Sequence, residues 1–396
     1  MKLAILTQYF YPETGAPQNR LYELSKKFKE YGWEVMVITG MPNYPKGKIF
    51  PGYRWKFCCS EKIDTIDVNR YWLFASNSKN KLPRIISMIS FSLSSLFICF
   101  RLKKFKPDFL FIESPPLTLG YSGYLLSKYS GAKMIMNVSD IWPLSAKELG
   151  AIGDGKIYRK LESLEKFLYG KAFINTGQSE EIVSHINNSG DFNTYLFRNG
   201  VDVKRFEKPK SYCQSGEIIK IVYAGLLGVA QGIFEIVSKI NFKELGAEFH
   251  IYGEGTDRKA TLDFLKENPD RGIVVHKSVK SNEIPEILTE YYCTIIPLVN
   301  KIYGAVPSKI YEAMAAGVPI LFSGSGEGAA IISDNNIGLV SSPRDFDKLK
   351  ENIIKLRDSL SLRNEMSENC RKTAEEKFDR NDLIKKFSDK LVSYIN

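Results

Sequence analysis

VPSKIYEAMAAGVPI, Val306 to Ile320, is the stretch on which the reading of this chain turns. Pro307 suits the first position of a helix, and Gly317 with Pro319 suits its end. The opening turn of such a helix presents free N–H groups, that of Ser308 among them, and favours a phosphate. Lys309 adds a full positive charge in the same turn. Glu312 follows Lys309 by three and Ser308 by four, so the three share a face. A carboxylate one turn beyond a phosphate site can accept both hydrogen bonds of a ribose diol. Ala313, Ala315 and Ala316 are small enough for close approach of the helix to a sheet. The plainer alternative is a surface helix carrying an i,i+3 ion pair.

Outward from this motif, both halves alternate short apolar runs with helical patterns. Strand-like runs lie at 3–7, 34–39, 108–113, 133–138 and 174–176, then at 218–223, 248–252, 272–276, 293–297 and 319–322. Leu21–Tyr31 and Ile233–Ile240 carry helical periodicity. Apolar strands separated by crossover helices imply parallel sheets in an α/β fold. At 396 residues the chain is long enough for two domains. Residues 199–216, polar and strand-poor, divide the two series. The expected organisation is a first domain over 1–205, a linker over 206–216 and a second domain over 217–380. Two doubly wound domains of this kind bind ligands at the carboxyl ends of their strands.

Further candidate loops follow predicted strands. YAGLLGVAQG, Tyr223 to Gly232, offers Gly225, Gly228 and Gly232 for close approach of backbone to a ligand. HIYGEGTDRKATL, from His250, offers Gly253 and Gly255. In the first half, YFYPETGAPQNRLYELS places Gly15 and Ala16 after the first strand, with Arg20 inside the next helix. MPNYPKGK, which contains Asn43 and Tyr44, is a Pro-rich loop after a strand. NVSDIWP places Asp140 just beyond another, where an acid could orient an acceptor hydroxyl or simply cap a helix.

Composition narrows the classes. A hydrophobic share of 44% with 25% charged residues belongs to a folded soluble protein. Residues 1–205 hold 29 Lys and Arg against 18 Asp and Glu, whereas 206–396 hold 26 against 27. The net charge of +10 therefore sits in the first half, which suits an anionic partner or a solubilising surface. The basic residues are dispersed rather than clustered with aromatics, which argues against nucleic acid. The six Cys show no zinc spacing and read as buried thiols of a reducing compartment. The start, MKLAILTQYF, reads as a buried strand rather than a signal peptide. Residues 85–100, IISMISFSLSSLFICF, are uncharged and fall short of a full bilayer span. They read as a largely buried helix, with a helix in the membrane interface as the second reading.

The order of motifs resembles the retaining family-4 glycosyltransferases of GT-B fold over essentially the whole chain. It is most similar to the fucosamine-transferase-like enzymes of O-antigen and capsule synthesis. The resembling stretches are YFYPETGAPQNR, GMPNYPKGKIFPGY, IESPP, NVSDIWP, FRNGVDVKRF, YAGLLGVAQG, YGEG and AVPSKIYEAMAAGVP. The resemblance implies two facing Rossmann-like domains and a C-terminal helix, 381–396, that returns to the first. It implies that Glu312 binds ribose, that Ser308 and Lys309 lie beside the diphosphate, and that Gly15 and Ala16 form the first-domain glycine loop. Gly225, Gly228, Gln231, Gly253, Val279 and Pro307 complete the donor-side set. Arg20, Asn43, Tyr44 and Asp140 form the acceptor-side set, and Lys309 and Asp140 carry the catalytic roles. Two departures stand out. Gly304 occupies the position of an earlier family glutamate, and Leu226 and Gln231 those of an Arg and a Lys.

The implied reaction moves a sugar from a nucleoside diphosphate, UDP being the commonest carrier, to an acceptor hydroxyl with retention at the anomeric carbon. An N-acetylated amino sugar such as N-acetylfucosamine is the donor the subgroup suggests. No metal is expected, since no carboxylate-rich cluster is visible in the sequence. The implied partners are a nucleotide sugar, a lipid-linked saccharide acceptor and an anionic membrane surface met by the basic first half. That places the protein in the cytoplasm, peripheral on the inner face of the cytoplasmic membrane. The rivals are a nucleotide-sugar epimerase of the same fold and a non-catalytic binding subunit.

Overall fold

The computed structural model describes all residues except 79, 149–151, 207–217, 302 and 396, and the backbone alone of 16 and 81. It divides into two units, Met1–Asn199 with Asn381–Asn396, and Gly200–Arg380.

The first unit is built on a sheet of β1 (Lys2–Leu6), β2 (Glu34–Gly40), β3 (Cys58–Ile63), β4 (Ile66–Tyr71), β5 (Phe109–Ser114), β6 (Lys133–Val138), β7 (Ile174–Gly177) and β8 (Thr194–Leu196). Their order is β3-β4-β2-β1-β5-β6-β7-β8. Every pairing is parallel except that of β3 with β4. The sequence reading did not include β3, β4 or β8. Strand β3, CCSEKI, is exposed or half-buried throughout, so it has no apolar run to read. Strand β8 has three residues.

The second unit carries β9 (Ile219–Ala224), β10 (Ala247–Tyr252), β11 (Ile273–His276), β12 (Cys293–Pro297), β13 (Ile320–Ser323) and β14 (Gly338–Ser341), in the order β11-β10-β9-β12-β13-β14. All pairings are parallel. Strand order reverses direction between β1 and β5 in the first sheet and between β9 and β12 in the second. Open α/β sheets bind ligands beyond the carboxyl ends of the strands at such reversals.

Residues 200–205, expected with the first domain, and Phe206, expected in the linker, belong to the second unit. Val201, Val203 and Phe206 are buried in its core beside Tyr311 and Phe378. The Val201 N–H donates to the Phe378 carbonyl at 2.9 Å, and the Arg380 N–H donates to the Val201 carbonyl at 2.9 Å. Of the expected linker, 207–216 lies outside the described residues.

The chain's last helix, Arg380–Val392, returns to the first unit. Ile384, Phe387 and Leu391, spaced as one helix face, join the core formed by Phe28, Phe111 and Phe197. Phe387 stacks on Phe197 at 4.4 Å between ring centres, and Trp33 Nε1 donates to Ser388 Oγ at 2.9 Å. Phe387→Ala removes a fully buried ring from the centre of this cluster. It should cost about 3–5 kcal/mol of stability, read as a lowered urea midpoint for the first unit.

Candidate functional site

In the second unit the loops after β9 and β12 flank the strand-order reversal. They are tied together where the Val299 N–H donates to the Ala230 carbonyl at 3.0 Å. The loop after β12 leads into the Ser308–Ala316 helix, which Gly317 ends in the left-handed conformation. Pro307 is the N-cap, one residue before the first helical position assigned to it from sequence. Its backbone is still extended, with ψ at 130°, so the helical turn starts only at Ser308. No side chain caps the end, leaving its amides open to a ligand. The position is Ser308 exposed, Lys309 and Glu312 half-buried, and Ile310, Tyr311 and Ala313 inside.

Lys309 and Gly225 are brought together. A Cβ added at Gly225, where φ is 157°, would fall 2.3 Å from Lys309 Cε and 2.6 Å from its Nζ. Glycine at 225 therefore makes room for the lysine. Lys309 Nζ also lies 5.6 Å from the centre of the Tyr223 ring, over its face. Among the described residues neither Lys309 Nζ nor the Glu312 carboxylate makes a hydrogen bond or a close ion pair. Burial pushes the Lys309 pKa down against the pull of Glu312. Burial pushes the Glu312 pKa up, opposed by Lys309, Arg205 and Arg380.

Other glycines have structural reasons. A Cβ at Gly253 would meet the Gly225 carbonyl at 1.9 Å, and one at Gly255 the Leu227 carbonyl at 2.2 Å. The loop after β9 thus rests directly on the turn after β10, held by Leu227 N–H to the Glu254 carbonyl at 2.9 Å. Gly228 makes room for Gln231, whose buried Oε1 has no partner. Leu226 is exposed. Val279 is half-buried after β11, at the sheet edge and two strands from β9.

In the first unit, Gly15 caps the Ala16–Glu30 helix and leaves space for the buried Gln18 side chain, whose Oε1 has no partner. Arg20 turns into the unit. Its guanidinium donates to Glu113, to Ser139 Oγ at 2.8 Å and to Asn199 Oδ1 at 2.6 Å. Glu113, next to last in β5, also accepts from Asn137 at 2.7 Å. Most of the polar capacity of Arg20 is spent in this network. Asp140 is half-buried and accepts from Ser145 Oγ at 3.1 Å and from the Ile141 N–H. Burial nevertheless raises its pKa.

Glu13 and Arg84 were not singled out from sequence. The buried Glu13 carboxylate accepts the backbone N–H groups of Phe10, Asn43 and Tyr44 at 3.1, 2.7 and 2.7 Å. It pins the loop after β2 to the loop after β1. Together with the Lys81–Ser94 helix these loops line a pocket of about 300 Å³. Tyr9, Asn43, Tyr44, Asn77, Arg84 and Ser87 line it, and Arg84 has no ion-pair partner among the described residues. The Glu13–loop link depends on backbone amides, which leave no mark in a sequence; Arg84 is an ordinary surface arginine until the pocket forms around it.

Comparison with known proteins points to a class. Residues 220–359, within the second unit, match the family "Glycosyl transferases group 1". The whole chain has the GT-B fold of two parallel-sheet α/β units. It is similar to sucrose-phosphate synthase from Thermosynechococcus elongatus, with a TM-score of 0.74 at 14% identity over 100% of this chain and 99% of that one. It is also similar to HepE of Anabaena, solved with UDP and glucose, with a TM-score of 0.70 at 13% identity over 99% and 100%. In sequence it is 23% identical over 337 residues to "Putative colanic acid biosynthesis glycosyl transferase WcaI" of Escherichia coli strain K12, covering 80% of this chain and 82% of that one.

The raised Glu312 pKa makes the neutral form the better one for the ligand-free fold. Its contribution to stability is present below the ordinary carboxylate range and lost as pH rises through the raised value. Glu312→Gln should therefore raise the melting temperature at neutral pH, with the gain shrinking as pH falls towards acid. A gain independent of pH would contradict this account.

Proposed function

We propose that the protein is a retaining glycosyltransferase that moves a sugar from UDP to a lipid-linked saccharide during the synthesis of a bacterial surface polysaccharide. The observation that carries this is the placement of Lys309. It lies across Gly225 at the strand-order reversal, in the uncapped first turn of its helix, with Glu312 one turn along and neither charge hydrogen-bonded among the described residues. A half-buried cation beside open amides suits a diphosphate, and an unpaired carboxylate beside it suits a ribose diol.

In this reading negative charge grows on the departing diphosphate while the sugar carbon becomes oxocarbenium-like. The Ser308 and Lys309 amides and the Lys309 ammonium stabilise that charge. The diphosphate oxygen that leaves the sugar takes the proton of the attacking hydroxyl on the same face. Asp140 is the acidic group assigned to orienting the acceptor. Its two hydrogen-bond donors keep it in place, and its raised pKa makes it a readier proton acceptor than an exposed aspartate. Asn43, Tyr44 and Arg84 would hold the acceptor's phosphorylated end. Arg20 serves by holding Glu113 and Ser139 in place rather than by touching substrate.

Two similar proteins support the finer parts. HepE was solved with UDP and glucose, and the Escherichia coli relative carries a name from colanic acid biosynthesis. An N-acetylated amino sugar is the first donor to try. Such an acceptor would keep the protein at the inner face of the cytoplasmic membrane. A second reading, a binding subunit without turnover, draws on Gly304, Leu226 and Gln231 standing where a glutamate, an arginine and a lysine occur in related enzymes.

A thermal-shift series with UDP, GDP and ADP should single out UDP, which at 100 times its dissociation constant adds about 2.7 kcal/mol. Glu312→Ala should weaken UDP binding about a hundred- to ten-thousandfold, since two hydrogen bonds to a charged group are lost. Lys309→Ala should lower kcat by about a hundred- to a thousandfold. UDP bound normally by both variants, or bound by the wild type with no transfer to any lipid-linked acceptor, would remove the proposal. Arg84→Ala should raise KM for the acceptor about tenfold with KM for the donor unchanged.

A further inference from the structure

The segment Leu82–Phe105 has a mean hydropathy of 1.9 and is long and apolar enough to cross a membrane. Yet its buried side mixes Phe91, Ile98 and Leu102 with four serines. Ser87, Ser92, Ser94 and Ser95 are all buried. Ser92 Oγ donates to Thr118 Oγ1 at 2.9 Å, and Ser122 Oγ donates to the Ser92 carbonyl at 2.7 Å. The facing helix is Leu117–Ser130, whose Gly120 and Gly123 point instead at Met136, Leu168 and Ile112. Hydroxylated residues thus link the two helices.

Phe91, Ile98 and Leu102 point into the unit and are fully buried, but many of the large apolar side chains face away from it. Leu82, Ile86, Ile89, Leu93, Phe97 and Phe100 recur every three or four residues and are all exposed, Phe97 at 67% and Phe100 at 78%. The facing helix adds a second stripe, Tyr121, Leu125 and Tyr129, likewise exposed. Phe100 meets Tyr129 at 6.4 Å between ring centres, which joins the stripes. Phe97 meets Phe57 at 5.1 Å, which extends the patch towards the fully exposed Trp55. This reverses the expectation of a largely buried helix: serines share the inward side with Phe91, Ile98 and Leu102, and a broad apolar stripe is left outside.

The charge around this face has one sign. Residues 68–107 contain no Asp or Glu but eight Lys and Arg, and residues 114–139 contain no acid either. Arg84 stands at one end of the first stripe and Arg101, Lys103 and Lys104 at the other. Lys103 Nζ lies 4.8 Å from the centre of the Tyr129 ring. An apolar face edged by cations and by Tyr and Trp fits the boundary of an anionic bilayer.

We propose that this two-helix face is a lipid-inserting surface, which lies in the plane of an anionic membrane and is held there mainly by its apolar side chains. It deepens the reading of a lipid-linked acceptor, on which it rests for its purpose alone. The pocket lined by Arg84, Ser87 and Met88 opens where the face begins, so a phosphorylated head could enter it while its chain stays in lipid. The serine contacts hold the segment on its unit, which makes it peripheral rather than spanning.

Flotation with vesicles of phosphatidylethanolamine and phosphatidylglycerol tests this. The wild type should float, and should still float in about 0.5 M salt, where charges are screened beyond roughly 4 Å. Alkaline carbonate should release it. Leu93→Gln, Phe97→Gln and Phe100→Gln combined should weaken binding by about a hundredfold or more, with the UDP thermal shift and transfer to a short water-soluble acceptor unchanged. If that variant does not fold, quenching of wild-type emission by brominated lipid, lost in Trp55→Phe, gives the same answer. Equal flotation of the variant, loss of wild-type binding in salt, or resistance to carbonate would overturn the proposal. So would a lipid-free dimer that the triple variant dissolves, which would make the face a contact between copies. Flotation without any sugar transfer would instead count against the acceptor reading and leave the surface standing.

Discussion

A half-buried ammonium and a half-buried carboxylate, one helical turn apart and without hydrogen bonds among the described residues, set the terms for the second unit. Burial works against both charges, moving the Lys309 pKa down and the Glu312 pKa up. Such an arrangement is costly in the free protein, because charged groups taken from water need partners. A bound anion with a diol beside it would supply them. Strain of this kind is expected where ligand binding recovers what folding gave up. The parallel sheet makes it possible by turning the loops after β9 and β12 to the same end at the point where strand order reverses.

Around this pair the backbone leaves little freedom. Gly225 admits the lysine, and Gly253 and Gly255 admit the loop that carries Gly225. Three glycines that look like ligand contacts in a sequence therefore divide between two duties. One makes space for a functional side chain, and two pack one loop on the next. In the first unit the polar groups near its reversal point are more fully paired. Arg20, Glu113, Asn137, Ser139 and Asn199 satisfy one another, which gives a rigid frame rather than a reactive cluster. Asp140 and the Arg84 pocket are left as the chemically available groups there.

The lipid-facing surface follows from a different constraint. A helix that must pack closely on another gains from small residues in the contact, and serine hydroxyls can satisfy one another and the backbone there. Many of the large apolar residues are then left on the outer side. In water that face is a liability of the kind that marks an interaction surface.

Much of the fold was legible in the chain itself. The strands from Lys133 to Val138 and from Cys293 to Pro297 coincide with their apolar runs, because a strand buried on both faces must be apolar throughout. The helix that opens near Ser308 and ends at Gly317 was set by local stereochemistry, since proline and glycine allow few alternatives there. What only the tertiary structure decided was which side chains share a space. The meeting of Lys309 with Gly225, Arg20 turning inward to Glu113 and the exposure of Phe97 and Phe100 all join or separate residues by packing. Periodicity shows that a helix has two faces. It cannot show which one the rest of the protein will cover, because that depends on the shape of the neighbour.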